Sequence, residues 1–443
     1  MKKTALCTAI LAIYGLSTPV FADEISDLKA EIAAQKQAAA AQQARLDALE
    51  ARLNGVQQQQ ASAQRAAPAA APAEASGVSF KQGEGLSVRS ANGVVSVYGL
   101  IDVSYVHTNH ADAKGDNVTS PRVAWFSGNR WGITGARKLG DTGLNAIFRL
   151  ESEYENQTGN MDTPGTLFNR DAWAGVESKD FGKLTLGRQN AIARDPAASA
   201  IYGDPYGPAK PSLDEGGYTN NNNFKQLIFY AGSATGTRVN NGVVWKKAFD
   251  GGLVAGVQYQ FGGIPGDFSN GSSETVSLAY AGGDFNLAGF VTSANVSGLS
   301  NKTYSFGGNY QFGMVRVNAG MFHYTAEQGA LGNRSDNAYT LSASFKPGGP
   351  LDYQLGYQDM RADRAAVNGS GNVINAFANA TSAKATATGS RSTLYGSAIY
   401  HFDNITEVYL GGDYLKLKGG YKFGATNGSP NQTELAIGLR TRF

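Results

Sequence analysis

Residues 94–443 alternate between apolar and polar side chains with a period of two, in short runs separated by turn residues. In the last of these runs Leu435 and Ile437 share one face, whereas Arg440 lies on the other. This alternation is typical of β-strands with one apolar and one polar face, as in a soluble sandwich or a membrane barrel. A barrel is favoured because the chain offers no separate core large enough for so many strands. Polar faces that repeatedly carry arginine also suit a wet lumen.

The connections between the runs alternate in length. Short and long connections in strict alternation are typical of an outer-membrane barrel, whose short turns face the periplasm. The short connections are 138–143, 178–182, 250–252, 282–284 and 402–404, and the long polar ones are 109–121, 156–166, 263–271 and 362–389.

The pattern predicts an all-β fold, a 16-stranded antiparallel transmembrane β-barrel. The expected strands are 94–107, 122–138, 143–155, 168–178, 182–189, 237–249, 253–262, 272–282, 285–296, 302–312, 315–326, 335–346, 351–361, 391–402, 405–417 and 432–443. A seventeenth candidate, residues 224–230, would give an odd number, which is unusual for single-chain bacterial barrels. We therefore assign residues 224–230 to a loop.

That loop, residues 190–236, is the longest insertion between two strands. A structureless segment of this length in a compact domain indicates a functional loop. We expect it to fold into the barrel and narrow the lumen.

The amino terminus has the features of a secretory signal, predicted over residues 1–22. Lys2 and Lys3 precede an apolar core, and the expected cleavage leaves Asp23 first. The single cysteine, Cys7, lies inside this signal, so neither disulfides nor thiol chemistry are expected in the mature chain. After Phe21 no apolar stretch is long enough for a transmembrane helix, and a formal net charge of +2 gives no support for nucleic-acid binding.

Residues 23–56 are expected to form a periplasmic coiled coil. Apolar residues recur at heptad spacing over 25–56, with isoleucine or leucine at most of the outer a and d positions. Ala39, Gln35 and Gln42 weaken the centre of the heptad pattern, so the oligomeric state stays open, and a single solvated helix is the alternative. Residues 57–93, which begin with a stretch rich in Gln, Ala and Pro, are predicted to be a linker to the barrel domain, 94–443.

Six segments, in order along the barrel, carry a resemblance to a known family. They are 97–102, 127–132, 146–151, 184–189, 238–241 and 438–443. With them the chain resembles the general porins of Gram-negative bacteria, especially the betaproteobacterial type, and its coil resembles that of a subset of trimeric porins. The resemblance implies a homotrimer, a third loop that folds inward as a constriction, and a terminal Phe443 that is read by the outer-membrane assembly machinery.

The resemblance also implies an arginine-lined wall opposite an acidic inward loop, with a transverse field between them. Arg130, Arg170 and Arg238 match family arginines of the second, fourth and sixth strands. Arg149 joins them because it shares a polar face with Glu151, and Arg188 lies at the root of the loop. The loop acids would be Asp204, Asp214 and Glu215.

The sequence thus predicts a passive channel for small hydrophilic solutes and ions in the outer membrane, in contact with lipid and lipopolysaccharide. Alternatives are a channel selective for small carboxylates, or a structural anchor whose coil reaches peptidoglycan. An enzyme is not expected, because the sequence shows no nucleophile–histidine pair. No cofactor, metal or nucleic acid is expected to bind.

Overall fold

The computed structural model describes residues 29, 31–34, 36–37, 76–194 except 82, 84, 113, 123 and 124, and 232–443 except 375–382 and 423. The chain divides into two compact units, Met1–Ala73 and Glu74–Phe443. In the first unit the described residues are helical and exposed. Most of the expected coil lies outside them, so the coiled coil stays a prediction. Within the described part, no helix is both long and apolar enough to cross a membrane.

The described residues of the second unit contain nineteen strands in one antiparallel sheet. They are β1 (Gly77–Lys81), β2 (Gly85–Ser90), β3 (Gly93–Thr108), β4 (Val118–Arg122), β5 (Arg130–Lys138), β6 (Asn145–Glu153), β7 (Asp171–Ser178), β8 (Gly182–Asn190), β9 (Arg238–Ala248), β10 (Leu253–Gln260), β11 (Ser273–Ala281), β12 (Phe285–Val296), β13 (Leu299–Phe312), β14 (Val315–Glu327), β15 (Asn333–Phe345), β16 (Leu351–Val367), β17 (Ala385–His401), β18 (Thr406–Gly419) and β19 (Asn431–Arg442).

The sheet closes because the last strand, β19, pairs with β3 from Arg442 opposite Leu100 to Glu434 opposite Thr108. Phe443 continues this pairing through two backbone hydrogen bonds with Gly99, of 2.8 and 3.1 Å. The wall consists of β3 and β5–β19, with β4 in line with β5, so the predicted closed barrel of sixteen antiparallel strands is confirmed.

The second wall strand is interrupted, which the sequence did not predict. β5 pairs with the first half of β3 and β4 with its second half. Between them Trp125 and Phe126 leave the wall and are buried within the barrel, where both rings stack with Tyr409 of β18 at centroid distances of 5.9 and 4.5 Å. The expected continuous strand 122–138 is therefore wrong, because burial of two aromatic rings replaces the backbone pairing there.

The expected linker 57–93 also needs correction, because it contains the β1–β2 hairpin. β2 pairs with residues 93–97 of β3. It uses the same edge of β3 as β19 does, in the part that extends past Phe443 and is not paired with β19. Its apolar side chains continue the outer face of β3, where Val88 lies opposite Val95. The alternation of Leu86 and Val88 with Ser87 is the signal of this strand.

Two further expectations on the long connections are corrected. The expected loop 362–389 is shorter, because β16 runs to Val367 and β17 begins at Ala385, with a bulge between Ala362 and Ala365. The alternation of long and short connections is not strict, because only Ser297 and Gly298 join β12 to β13. Both have positive φ, 55° and 78°, as a two-residue hairpin turn requires.

The barrel's two faces differ in chemistry. Outward-facing leucine, valine and isoleucine side chains are exposed along most wall strands, and aromatic side chains lie towards both strand ends. Those nearer the long connections are Tyr105, Phe261, Tyr304, Tyr339, Tyr357 and Tyr414, and those nearer the short turns include Tyr280, Phe285, Tyr310, Phe312, Phe345, Tyr353, Tyr400 and Phe402. An apolar band between two aromatic girdles is the surface pattern of outer-membrane barrels.

The short turn between β17 and β18 is stabilised by hydrogen bonds to an aspartate side chain. The backbone amides of Ile405 and Thr406 donate to Asp403, at 2.9 and 2.7 Å, and these bonds lower the pKa of its carboxyl. This is the Asx-type hydrogen bonding that favours aspartate in tight turns.

Candidate functional site

The inner wall carries a group of charged side chains where β5–β9 adjoin. The register brings them together: Arg130 lies opposite Glu153, Glu151 opposite Asp171, and Arg238 opposite Asn190. We call this group the arginine cluster. It comprises Arg130, Arg149, Arg170, Arg188, Arg194 and Arg238, with the carboxylates Glu151, Glu153 and Asp171.

Arg170 is the buried centre of the arginine cluster. Its Nε donates to Glu151 at 2.5 Å, and its Nη1 forms an ion pair with Glu153. Its side chain is only 4% exposed. Arg170 therefore joins the start of β7 to β6, and two carboxylates balance its charge within the wall.

Arg149 presents its charge to the lumen. Its side chain is 42% exposed, and its Nη1 lies 3.6 Å from Asp171. The guanidinium also stacks over the ring of Tyr98, 5.5 Å from the centroid. This face-on contact and the single ion pair hold Arg149 in one orientation while leaving much of the guanidinium in water.

Gly132 leaves the space that is filled by the ring of Tyr98, on which Arg149 stacks. Tyr98 on β3 donates its hydroxyl hydrogen to Glu151 on β6 at 2.7 Å, across Gly132 on the intervening β5. A Cβ at Gly132 would lie 2.6 Å from Cζ of Tyr98. No other residue fits there without displacing the ring on which Arg149 stacks.

The remaining arginines surround the start of the long insertion. Arg188 donates through Nε to the carbonyl of Asn169 at 2.8 Å and also bonds the side chain of Asn240. Arg194 is buried and donates to Asn190 at 3.1 Å. Arg238 lies within electrostatic reach of both Arg170 and Arg194, which repel it. The arginine cluster is thus held by hydrogen bonds against its own like-charge repulsion.

Arg130 is half-buried in the inner wall. Its Nε donates to the carbonyl of Gly128 at 3.1 Å, and the side chain lies within electrostatic reach of Glu151 and Glu153. The six arginines and three carboxylates of the arginine cluster sum to three positive charges, and the exposed Asp162, within electrostatic reach of Arg170 and Arg238, reduces the local sum to two. A partly desolvated surface of this kind attracts anions.

Five arginines of the cluster follow from the sequence, and four supporting residues were missed. Glu153 and Asp171 share strand parity with Glu151 and Arg149, so alternation could have found them. Tyr98 gives no sequence signal, because its role depends on the register between strands. Arg194 follows β8 in a short 3-10 turn, where parity no longer applies. The sequence-predicted loop acids Asp204, Asp214 and Glu215 lie outside the described residues.

The inner wall of the strands that follow is largely uncharged. The described inward side chains of β10–β13 are mostly amides, hydroxyls and small apolar groups; the buried polar ones are Gln258, Gln260, Ser273, Thr275, Ser277, Asn286, Thr292, Asn301, Thr303, Ser305 and Asn309. Inward-facing arginines recur on β15, β17 and β19, at Arg334, Arg391 and Arg440, so the neutral stretch of β10–β13 lies between two parts of the wall that carry arginine. The arginine cluster on β5–β9 is therefore followed along the wall by neutral hydrogen-bonding groups.

A separate polar network secures the seam where the barrel closes. Asp102 on β3 accepts a hydrogen bond from the amide of Ser127 at 2.7 Å and from the hydroxyl of Tyr409 at 2.7 Å. Arg440 on β19 donates to the Ser127 hydroxyl at 2.6 Å and forms an ion pair with Glu407 on β18. These groups are buried, so their role is to join the inward segment 125–129 to the strands of the seam.

Comparison with known proteins identifies the same architecture. A profile of Gram-negative porins matches residues 61–420. An outer membrane porin protein of Bordetella pertussis is 26% identical over 396 residues, covering 79% of this chain and 94% of that protein. The solved structure of the anion-selective porin from Comamonas acidovorans has a TM-score of 0.61 at 22% identity, covering 79% of this chain and all of that one. The trimer form of OmpT from Vibrio cholerae has a TM-score of 0.54 at 16% identity, covering 80% of this chain and all of that one.

Proposed function

This chain belongs to the family of Gram-negative porins and is an outer-membrane diffusion channel, not an enzyme, and we propose that its arginine cluster makes the channel favour anions. The observation that carries this proposal is the net positive charge of the cluster, with Arg149 exposed to the lumen. The similar Comamonas protein is described as anion-selective, which is consistent with it. The solutes that pass are small, hydrophilic and taken up without bond chemistry.

Planar-bilayer recording tests this function. Purified protein in a KCl gradient is expected to give discrete conductance steps and a reversal potential of the sign that chloride permeation produces. Membranes that stay closed would contradict a channel. A reversal potential of the opposite sign would contradict anion preference alone, so the two parts of the proposal fail separately.

The constriction is a second part of the proposal. The arginines Arg130, Arg149, Arg170, Arg188 and Arg238 would form its wall, opposite Asp204, Asp214 and Glu215 on the loop 190–236. Support comes from the position of Arg188 and Arg238 on the strands that flank this loop. Replacing the three loop acids with amides should raise anion preference further, because the opposing negative charge is lost. Unchanged reversal potentials would exclude these acids from the passage.

A channel selective for small carboxylates is the alternative, and one observation favours it. The Nε groups of Arg149 and Arg238 are buried and have no hydrogen-bond acceptor among the described residues. A carboxylate would satisfy such donors, since charge-assisted bonds to arginine are strong and geometrically specific. Succinate should then reduce the chloride current in a saturable way, whereas its uncharged diamide should not. Equal effects of the two would support the general channel.

We also propose that the protein is a homotrimer whose coil, residues 23–56, lies in the periplasm and contacts peptidoglycan. The trimer form of OmpT supports the oligomeric state, and the heptad pattern supports association of the coil. Light scattering of the detergent-solubilised protein should give three chains per particle. Sedimentation with peptidoglycan should be lost on deletion of residues 23–75, and also in the double variant Leu46→Asp, Leu49→Asp, which keeps the length but places charges in the heptad core.

A further inference from the structure

A tryptophan side chain lies on the inner wall next to Arg149. Trp173 on β7 is directly opposite Arg149 on β6 in the strand register and shares its inward parity. Trp173 is half-buried. The other tryptophans are either buried, as Trp125 is, or face outward, as Trp131 and Trp245 do. Trp173 is thus the tryptophan of this chain that combines inward parity with partial exposure.

A lysine from the next strand stacks on this ring. The Nζ of Lys183 on β8 lies 4.4 Å from the centroid of the Trp173 ring, which is a cation–π contact. On the other neighbouring strand, Arg149 is directly opposite, and such pairs have Cβ atoms about 5 Å apart. The indole therefore has a guanidinium on one side and an ammonium over its face. Because the lysine stem is flexible, the ammonium can move from the ring to a nearby anion.

Glycines adjoin the ring on the wall. Gly187 is opposite Trp173 on β8, and Gly175 follows two residues later on the same face of β7. The backbone requires both glycines, because a Cβ at either position would clash with the carbonyl oxygen of Ala172 or of Leu184. No side chain from these two positions can therefore cover the indole.

The charged groups on this part of the inner face leave a surplus of positive charge. Arg149 lies 3.6 Å from Asp171, and Lys183 is opposite Glu177 on β7 and Lys246 on β9. These are three cations and two carboxylates. Because the side chain of Arg149 is 42% exposed, a solute anion can approach its guanidinium from the lumen.

We infer that the surface formed by Trp173, Arg149 and Lys183 binds aromatic carboxylates, and we call it the indole site. The inference rests on the anion preference proposed above and adds a class of solute to it. The ring of the solute would lie over the indole, since aromatic pairs are favourable beyond the area that they bury. Its carboxylate would accept charge-assisted hydrogen bonds from the arginine and the lysine. The indole site thus selects for a ring and a negative charge together.

The test uses the full-length protein in planar bilayers, with benzoate and cyclohexanecarboxylate as probes. Both anions have the same charge at neutral pH and the same carbon skeleton, and only benzoate has an aromatic ring. Benzoate should block the chloride current at a concentration about two- to tenfold lower than cyclohexanecarboxylate does, which corresponds to one aromatic pair. Equal blocking concentrations in the wild type would overturn the inference.

Variants of the indole site separate the ring from the charge. Trp173→Leu should abolish the preference for benzoate, because leucine keeps an apolar side chain without a π face, and Trp173→Phe should keep part of the preference. Trp173→Gln serves if Trp173→Leu fails to assemble. Lys183→Gln should weaken block by both anions and leave their ratio unchanged, because it removes charge and keeps the indole.

The matched control is Trp245→Leu, which removes an indole from the membrane side of the wall and should be blocked as the wild type is. A wild-type ratio in Trp173→Leu, or an equal loss of the ratio in Trp245→Leu, would overturn the inference. The reversal potential separates this inference from the proposed function. A chloride-type reversal potential with equal block by both carboxylates would reject the indole site alone, whereas the opposite sign with block by neither would reject both.

Discussion

The substitution Arg149→Gln is a direct perturbation of the lumen, because 42% of this side chain is exposed. It removes one positive charge while keeping a polar, hydrogen-bonding side chain, although a shorter one. The buried Arg170 and its two glutamate partners are left in place, so the wall should keep its fold. We expect chloride preference to fall, not to vanish, since the other arginines remain.

The size of the effect follows from Coulomb's law. An ion that passes about 6 Å from the guanidinium in water interacts with it by roughly 0.7 kcal/mol, favourably for an anion and unfavourably for a cation. The difference between the two ions is then about 1.4 kcal/mol, roughly tenfold in permeability ratio. At 0.1 M ionic strength, screening reduces this to about 0.8 kcal/mol, or roughly fourfold.

The assay is the reversal potential of reconstituted channels in a KCl gradient, recorded at low and at moderate salt. Arg149→Lys keeps the charge and should keep the preference. Arg137→Gln is the matched control, because Arg137 is exposed near the short-turn end of β5 and outside the arginine cluster. If Arg149→Gln retains wild-type selectivity at both salt concentrations, the lumenal charge of this residue does not set ion preference and the reasoning fails.

Three further outcomes concern stability and assembly. Arg170→Met should destabilise the folded barrel by about 3–5 kcal/mol, because it leaves two buried carboxylates without their partner; the midpoint of guanidinium unfolding in detergent measures this. Gly132→Ala should cost about 1–3 kcal/mol by overpacking against Tyr98, measured in the same way. Deletion of residues 23–75, which ends before β1 at Gly77, should leave single-channel conductance unchanged, since every described wall strand is retained.

Each of these has a result that would contradict it. Wild-type unfolding midpoints for Arg170→Met would mean that the ion pair adds nothing to the wall. A Gly132→Ala variant as stable as the wild type would mean that Tyr98 shifts freely, and Tyr98→Phe, which keeps the ring and removes its bond to Glu151, separates packing from hydrogen bonding. Altered conductance after the deletion would assign the amino-terminal unit a part in the passage.

Alternation alone predicted the barrel closely where both faces of a strand have distinct chemistry. The expected strand 285–296 coincides with β12, because its outward Leu287 and Val291 alternate with inward residues that are small or polar except for Phe290. The alternation gave a wrong prediction where apolar side chains pack inside the barrel instead of facing the membrane. Trp125 and Phe126 have the composition of a strand, and only their contacts with Tyr409 show why the wall is interrupted there.

The sequence predicted five of the arginines in the arginine cluster, but it did not predict which of their charges are neutralised. Strand parity and a resemblance identified the arginines, since charged residues on the lipid face of a barrel are costly and must face inward. Which of them is neutralised depends on side-chain geometry across strands. Arg170 and Arg149 have the same charge in the sequence, yet one is enclosed by two glutamates and the other stands in the lumen.

The β1–β2 hairpin has a consequence for how the barrel closes. On the edge of β3 that receives β19, residues 93–97 are already occupied by β2, and pairing with the last strand begins only at Gly99. A slip of β19 by one residue would turn its lipid-facing leucines into the lumen, and a slip towards the periplasm would have to displace β2. The hairpin therefore blocks this slip, and contact with it sets the register of the final strand.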